Sequence, residues 1–289
     1  MAEPEYLTVP ELAELLRIKE RKVYDLASSG EVPCTRATGK LLFPARGVRA
    51  WLLKHSQGHV PKVPRPAVVL GSHDPLLDWA IRESRCGLAS YFDGSTDGLA
   101  RFNRREGVAA GLHLQDPEGR EWNIPSVDRY SADQNAVLVR FATRARGLVL
   151  GQSITGITAM PDLRGRRVVP RQPDSGSDVL FRQLADRAGL ALSDMVLTDI
   201  ARTETEAVQA VARGEADATL GLHSVAQDFG LPFVPLIDER FDLLVNRRAW
   251  FETPMQRLMT FCQSEAMATR AERMGGYDLT GLGTVRWNA

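Results

Sequence analysis

Arg171-Gln172-Pro173-Asp174-Ser175-Gly176-Ser177-Asp178 concentrates more chemistry than any other stretch of this chain. It follows the apolar pair Val168-Val169 and precedes a run in which Val179, Leu180, Leu184 and Ala188 recur at helical spacing, so the pattern predicts strand, tight turn, helix start. A Ser-Gly-Ser at such a junction offers two hydroxyls and several unpaired N–H groups at the positive end of a helix dipole, and Arg171 adds a planar cationic fork. The guest that suits those donors is an oxyanion. The plainer reading of the same residues is an N-cap with a glycine turn. The rest of the chain has to decide between them.

Two further turns repeat the chemistry. The apolar run Ala67-Val68-Val69-Leu70 ends at Gly71-Ser72-His73-Asp74-Pro75 and is followed by a helix to about Arg85. Leu88-Ala89-Ser90-Tyr91-Phe92 ends at Asp93-Gly94-Ser95-Thr96, with a helix through Asn103. Ser72 and Ser95 therefore stand where a strand ends and a helix begins, as Ser175 and Ser177 do. Ligands bind at that end of open α/β sheets, and three such turns suggest convergence on one cleft.

A fully ionised tetrahedral dianion needs only donors, whereas phosphate keeps a proton near neutral pH and also wants a carboxylate acceptor in the cleft. Asp74, Asp174 and Asp178 lie close to the turns, so phosphate stays open, although Asp178 is equally explained by the helix dipole. His73 reads as a helix cap or, when protonated, as a donor. Arg140, Arg144, Arg146, Arg164, Arg166 and Arg167 read as solvated or paired with surface acids; the alternative is a positive field extended toward a larger ligand.

The chain has 289 residues, 44% hydrophobic and 25% charged, which allows two or three soluble compact units. No membrane span or secretory signal is visible, and the expected location is the cytoplasm. Cys34, Cys86 and Cys262 lie far apart in no metal or redox spacing, so no metal site and no cofactor are expected. His73, His113 and His223 have no partner motif for catalysis, so an enzyme is not expected either. A formal net charge of zero hides a split. Residues 1–66 carry 11 Lys+Arg against 7 Asp+Glu, and the remainder 25 against 29.

The basic segment opens with Thr8 as an N-cap, Glu11 three residues on, and Leu12, Leu15 and Leu16 on one helical face. Arg17-Ile18-Lys19 reads as a turn. A second helix from about Glu20 to Ser28 buries Val23 and Leu26 and turns Arg21, Lys22 and Tyr24 outward. Val32 to Pro44 reads as two short strands around Thr38-Gly39, followed by a helix from Arg46 to Lys54. The pattern LTVPELAELL, VYDLASSGEVP, R-TGK, F-VRAWL closely resembles the excisionase and MerR-like winged helix-turn-helix family across residues 6–54. That resemblance implies a groove helix with Lys19, Arg21, Lys22 and Tyr24 on its DNA face and a wing presenting Arg36, Thr38 and Lys40. One such module covers little DNA, so a homodimer on paired half-sites is expected.

Residues 55–66 carry three prolines and no apolar period and read as a linker. From residue 67 short apolar runs alternate with amphipathic helices, which predicts an α/β sheet domain. Its order resembles the type II periplasmic-binding-protein fold in the cytoplasmic version fused to regulators of molybdenum or tungsten metabolism. DLRGRRVVPRQPDSGSD, AVARGEADATLGLHSVAQDFGLPFVPL and ERFDLLV carry the likeness. The implied architecture is α/β: a winged helix-turn-helix over residues 1–54 and a bilobed ligand-sensing domain over 67–289. Lobe one takes 67–146 and 242–289, and lobe two 147–241. The Arg-x-x-Asp-Ser-Gly-Ser turn is similar to the anion-gripping turn of tungstate-binding proteins, with Ser177 where those usually have Thr. Ser72, Ser95, Thr96, Arg171, Ser175, Gly176 and Ser177 are the implied binders.

The combined expectation is a regulator that binds double-stranded DNA and senses molybdate or tungstate. The alternatives are a larger phosphorylated ligand such as molybdopterin cofactor, or an enzyme or protein adaptor that never touches DNA.

Overall fold

The computed structural model describes residues 5–36, 39–55, 64–173 and 175–289. Two compact units divide the chain, Met1–Pro64 and Arg65–Ala289. Thr38, Asp174 and most of the expected linker lie outside the described residues.

The first unit contains β1 (Tyr6–Leu7), α1 (Val9–Leu16), α2 (Glu20–Ser28), β2 (Phe43–Pro44) and α3 (Ala45–His55). Thr8 caps α1, and the Glu11 carboxylate accepts from both its N–H and its hydroxyl at 2.7 Å, a reciprocal lock that starts the helix at Val9. Arg17, in the left-handed region at φ 51°, ends α1 and donates its N–H to Ala13 and Glu14. The helices turn their apolar faces inward onto Val9, Leu12, Val23, Leu26, Val32, Phe43 and Val48. Of the expected wing, the described residues show a bridge between Thr35 and Leu42. Beyond it Phe43–Pro44 pairs with Tyr6–Leu7 instead. Alternation marks an extended segment, but the choice of pairing partner belongs to the tertiary fold.

The second unit begins one residue before the expected boundary region ends. Arg65, placed in the linker by its proline neighbours, stacks its guanidinium 4.3 Å over the Phe102 ring and donates to the Phe102 and Gly107 carbonyls at 2.5 and 3.2 Å. That anchors it to the second unit.

Its first half runs β3 (Val68–Gly71), α4 (Pro75–Glu83), β4 (Ala89–Phe92), α5 (Ser95–Asn103), β5 (Ala109–Leu112), α6 (Ile124–Ser131) and β6 (Ala136–Leu150). The second lobe follows with β7 (Arg167–Val169), α7 (Gly176–Arg187), β8 (Val196–Leu197), α8 (Glu204–Ala212), β9 (Ala218–Leu222) and α9 (His223–Asp228). The return passes through β10 (Phe233–Asn246), α10 (Arg247–Trp250), α11 (Thr253–Cys262), α12 (Glu265–Met274), β11 (Tyr277–Asp278) and β12 (Val285–Asn288).

The sheet order is β4-β3-β5-β10-β6-β9-β7-β8. The long antiparallel pair β6 and β10 belongs to both lobes. Its first-lobe end meets β5, β11 and β12, and its second-lobe end meets β9. Register shifts at Pro235/Ile237 and Phe241/Asp242 interrupt the pair where the chain passes between lobes. Each lobe has its own apolar core: Leu76, Leu77, Phe141, Phe241, Leu258 and Met267 in the first, Leu148, Leu163, Leu180, Phe181 and Leu220 in the second.

Helix α5 rides unusually close to β3. A Cβ on Gly98 would stand 2.2 Å from the Cα of Gly71, backbone against backbone, so no side-chain motion can make room. Gly98→Ala is therefore expected to destabilise the second unit by about 1–3 kcal/mol despite the better helix propensity of alanine. Thermal denaturation checks this; an unchanged or raised midpoint would contradict the close packing.

Candidate ligand cleft and DNA-reading face

Each serine-bearing turn is fixed by its helix. Asp74 caps α4 by accepting from the Leu77 N–H at 2.7 Å. Gly94, at φ 98°, takes the N-cap of α5 in a conformation that favours glycine, which sets Ser95 as the first helical residue. Ser175 caps α7, its hydroxyl oxygen accepting from the Asp178 N–H at 3.2 Å.

The two lobes meet around a cavity of about 50 Å³. The first lobe contributes Ser72, His73, Phe92, Asp93, Gly94 and His113; the second contributes Arg171, Gln172, Ser175, Gly176, Ser177 and Arg202 to Glu204. Gln172 Nε2 reaches Asp93 Oδ1 across the mouth at 3.5 Å. Ser72, Arg171, Ser175, Gly176 and Ser177 are thus brought to one wall-to-wall space. Ser95 and Thr96 are not among its lining residues. Ser95 is fully buried behind Ser72, with the two hydroxyl oxygens 2.9 Å apart, and it accepts the His113 N–H at 3.0 Å. A sequence shows that a serine opens a helix, and not whether its hydroxyl faces the cleft or the layer beneath it.

The donors that face the cavity differ from a simple count of hydroxyls. Ser177 Oγ donates to Glu204 Oε1 at 3.0 Å, so its proton is already engaged. Arg171 is held inside its own lobe: Nε and Nη2 donate to the Ala201 and Arg202 carbonyls at 3.2 and 2.8 Å, and Nη1 is 3.2 Å from Glu204. The expected free cationic fork is instead a strut between the α7 and α8 turns. The hydroxyls of Ser72 and Ser175 remain as donors, together with the first N–H groups of α7 at Gly176 and Ser177, which have no acceptor among the described residues. Gly176 has no room for a side chain, because a Cβ there would lie 2.8 Å from the His113 ring.

Behind the cavity is a buried ionic chain that runs from one lobe to the other. Arg144 and Arg146 project from the same face of β6, and Glu239 stands opposite Arg144 on β10. Glu239 pairs with Arg144 and lies 2.5 Å from Arg146 Nε. Arg144 continues to Asp74 at 2.9 Å, whose carboxylate also accepts from the Tyr277 hydroxyl at 2.9 Å. Arg146 continues to Glu204 at 2.8 Å. Both arginines are 1% exposed, and their acids are 6% exposed or less, so these are neither solvated arginines nor partners of surface acids. Of the other four in that expectation, Arg140 contacts Thr143 and Asp278, and Arg164, Arg166 and Arg167 stay on the surface.

Charge in this chain balances: Arg144, Arg146 and Arg171 against Asp74, Glu204 and Glu239. Burial pushes both glutamates up, but the facing guanidiniums outweigh it, holding Glu239 well below the usual carboxylate range and Glu204 at about 2. His113 lies 3.0 Å from Glu239 through Nδ1, a close but poorly aligned contact, and burial holds its pKa below the usual 6.5 in spite of that carboxylate. Glu204 follows a helix cap and Glu239 an edge of apolar residues; nothing in their spacing marked them as cleft residues.

In the first unit Lys19, Arg21, Lys22 and Tyr24 are all exposed at the start and along one side of α2, with Tyr24 52% exposed. Arg36 and Lys40 are exposed beside the Thr35–Leu42 bridge.

Residues 79–263 match the PBP superfamily domain. The chain belongs to the PBP superfamily. Ahead of the PBP match, residues 6–56 match the helix-turn-helix domain. The uncharacterized protein YvgK of Bacillus subtilis is 25% identical over 306 residues, covering 99% of each chain. Among solved structures, a mutant of Corynebacterium glutamicum OxyR bound to hydrogen peroxide gives a TM-score of 0.52 at 16% identity, over 92% of this chain and 91% of that one. PhnD1 from Prochlorococcus marinus in complex with methylphosphonate gives 0.50 at 10% identity, over 75% of this chain and 93% of that one. These structural likenesses show the PBP fold alone. The helix-turn-helix match suggests a DNA-binding regulator, and the PBP match a ligand-binding domain. Among the described residues no helix is long and apolar enough to cross a membrane.

Proposed function

We propose that this chain is a one-component transcription regulator. Its helix-turn-helix unit binds double-stranded DNA through Lys19, Arg21, Lys22, Tyr24, Arg36 and Lys40, and its PBP domain senses a small oxyanion between the lobes. A homodimer on paired half-sites in the cytoplasm is the arrangement that gives one small reader enough DNA contact. The observation that carries the ligand half is the cavity itself. It joins the Ser72 and Ser175 hydroxyls to the N-terminus of the 12-residue helix α7. A water needs about 10–15 Å³ by the same measure, so 50 Å³ holds roughly four waters or one five-atom tetrahedral ion. Molybdate and tungstate enter through the Arg-x-x-Asp-Ser-Gly-Ser resemblance.

Ligand binding acts as a switch to the extent that it prefers one lobe arrangement, commonly by about 1–3 kcal/mol in allosteric proteins. Isothermal titration of the dialysed full chain with molybdate, tungstate, sulfate and phosphate tests the reading. At least one of them is expected to bind. In a Ser72→Ala/Ser175→Ala double variant binding is expected to weaken at least ~100-fold, two hydrogen bonds to a charged group being lost. Binding that is unchanged in a folded double variant would remove the serine turns from the site.

A further inference from the structure

Helices α4 and α12 pack together in the first lobe, and between them runs an open groove of about 460 Å³ lined by Trp79, Glu265, Ala266, Thr269, Arg270 and Arg273. None of these residues lines the interlobe cavity. Small-molecule sites commonly measure about 300–1,000 Å³. The groove follows from which stripe each helix buries: α4 turns Leu76, Leu77, Ala80 and Ile81 into the core, and α12 turns Met267, Ala271 and Met274. Glu265, Thr269 and Arg273, at successive helical turns, are left along the outer face of α12, with Ala266 and Arg270 beside them. Trp79 is partly buried, and Phe261 of α11 steadies its ring from 5.3 Å away at a 53° tilt.

The charges of the groove are unspent. Arg270 stands with Cζ 5.6 Å from the Trp79 ring centroid. Its guanidinium and that of Arg273 have no carboxylate or carbonyl partner among the described residues. Arg82, Arg101, Arg104 and Arg140 of the same lobe each hold an acid. Glu265 is exposed and sits roughly 8 and 12 Å before the two arginines along the helix axis, so it does not neutralise them. Two guanidiniums against one carboxylate leave one net positive charge beside an aromatic wall. A wholly apolar occupant would strip water from both arginines and return no acceptor. A flat ring that carries one anionic group meets both demands: its face packs on Trp79 and the arginine stems, and its oxygens accept from the Arg270 and Arg273 forks. We infer that this groove is a second ligand site, separate from the cleft, and that it takes a planar aromatic monoanion of the arylcarboxylate class.

Naphthalene-2-carboxylate and its uncharged carboxamide are matched probes, alike in ring and different in charge. Titration of the full chain at about pH 7 and low salt, read by heat and by tryptophan emission, is expected to show saturable binding of the carboxylate with a Kd at or below about 1 mM. The carboxamide is expected to bind at least ~10-fold more weakly, having lost the charge-assisted hydrogen bonds. Arg270→Gln with Arg273→Gln changes two side chains on the outer face of α12 and leaves its buried stripe intact. That variant is expected to weaken the carboxylate at least ~10-fold and to leave the carboxamide unchanged. Ser72→Ala/Ser175→Ala is expected to leave carboxylate binding unchanged; a loss there would put the probe in the cleft and overturn the second site. No binding of the carboxylate, equal affinity for acid and amide, or unchanged binding in the arginine variant would overturn it as well. The oxyanion reading of the cleft stands or falls separately, on titration with the inorganic anions.

Discussion

Glu239→Gln is expected to destabilise the second unit by about 3–5 kcal/mol, the cost of breaking a buried ion pair from one side. Glu239 is fully buried on β10 and is the only carboxylate that touches both Arg144 and Arg146 among the described residues. The amide keeps the shape and loses the charge. Two guanidiniums, each 1% exposed, are then left with Asp74 and Glu204 alone, in a place where no water can make up the difference. At roughly 2–4 °C per kcal/mol for a unit of this size, the melting midpoint is expected to drop by about 10 °C. An exposed pair would contribute only about 0–1 kcal/mol, so a loss within that range would show that the chain of ion pairs does not hold the lobes together.

The same groups set the direction of the pH dependence. Glu204 and Glu239 have folded pKa values below the ordinary 4.5, so their contribution is complete above that pH and is lost as pH falls toward about 2 for Glu204. His113 has its pKa lowered from 6.5 by burial, so the unfolded chain binds its proton first and stability begins to decline as pH falls below 6.5. Both effects have the same sign. Thermal midpoints of the wild type should fall on acidification from about pH 6.5 and more steeply below about 4.5.

Reversing two charges on α2, Arg21→Glu together with Lys22→Glu, is expected to weaken DNA binding severely while oxyanion binding stays unchanged. Both residues are exposed, and the helix is held from its other side by Val23 and Leu26, so the substitutions leave the packing intact. Each phosphate contact contributes about 0.9 to the slope of log affinity against log salt, and the reversal replaces two attractions with two repulsions. Affinity for a random-sequence duplex pool at low salt should fall at least ~100-fold, read by fluorescence anisotropy, and the salt slope should flatten by about 2. Unchanged DNA affinity would mean that α2 is not the groove helix. It would favour the reading in which the small unit docks a protein.

Much of this molecule was legible before any coordinates. The interval from Glu20 to Ser28 is a helix because Val23 and Leu26 form one face and a turn precedes it; local spacing decides that. The Thr8–Glu11 lock is equally local. The serine turns at Ser72, Ser95 and Ser175 could be placed at strand-to-helix junctions, because a short apolar run followed by a cap and a periodic run leaves few alternatives. What spacing does not carry is the partner of a long-range contact. Strands β6 and β10 each run unbroken through both lobes, although Arg140, Arg144 and Arg146 interrupt the apolar pattern of β6. Arg144 and Arg146 are tolerated only because Asp74, Glu239 and Glu204 arrive from 58 to 95 residues away.

The sequence by itself determined the element types, the two-unit order, the basic reader and the serine-bearing turns, since each depends on residues within a few positions of one another. The tertiary structure decided which hydroxyls face the cavity, that Arg171 and Ser177 are already engaged, and that Glu204 and His113 line the cleft beside the serine turns. Charge balance in a buried site is a sum over groups from distant segments. It exists only once the fold has brought them within hydrogen-bond reach.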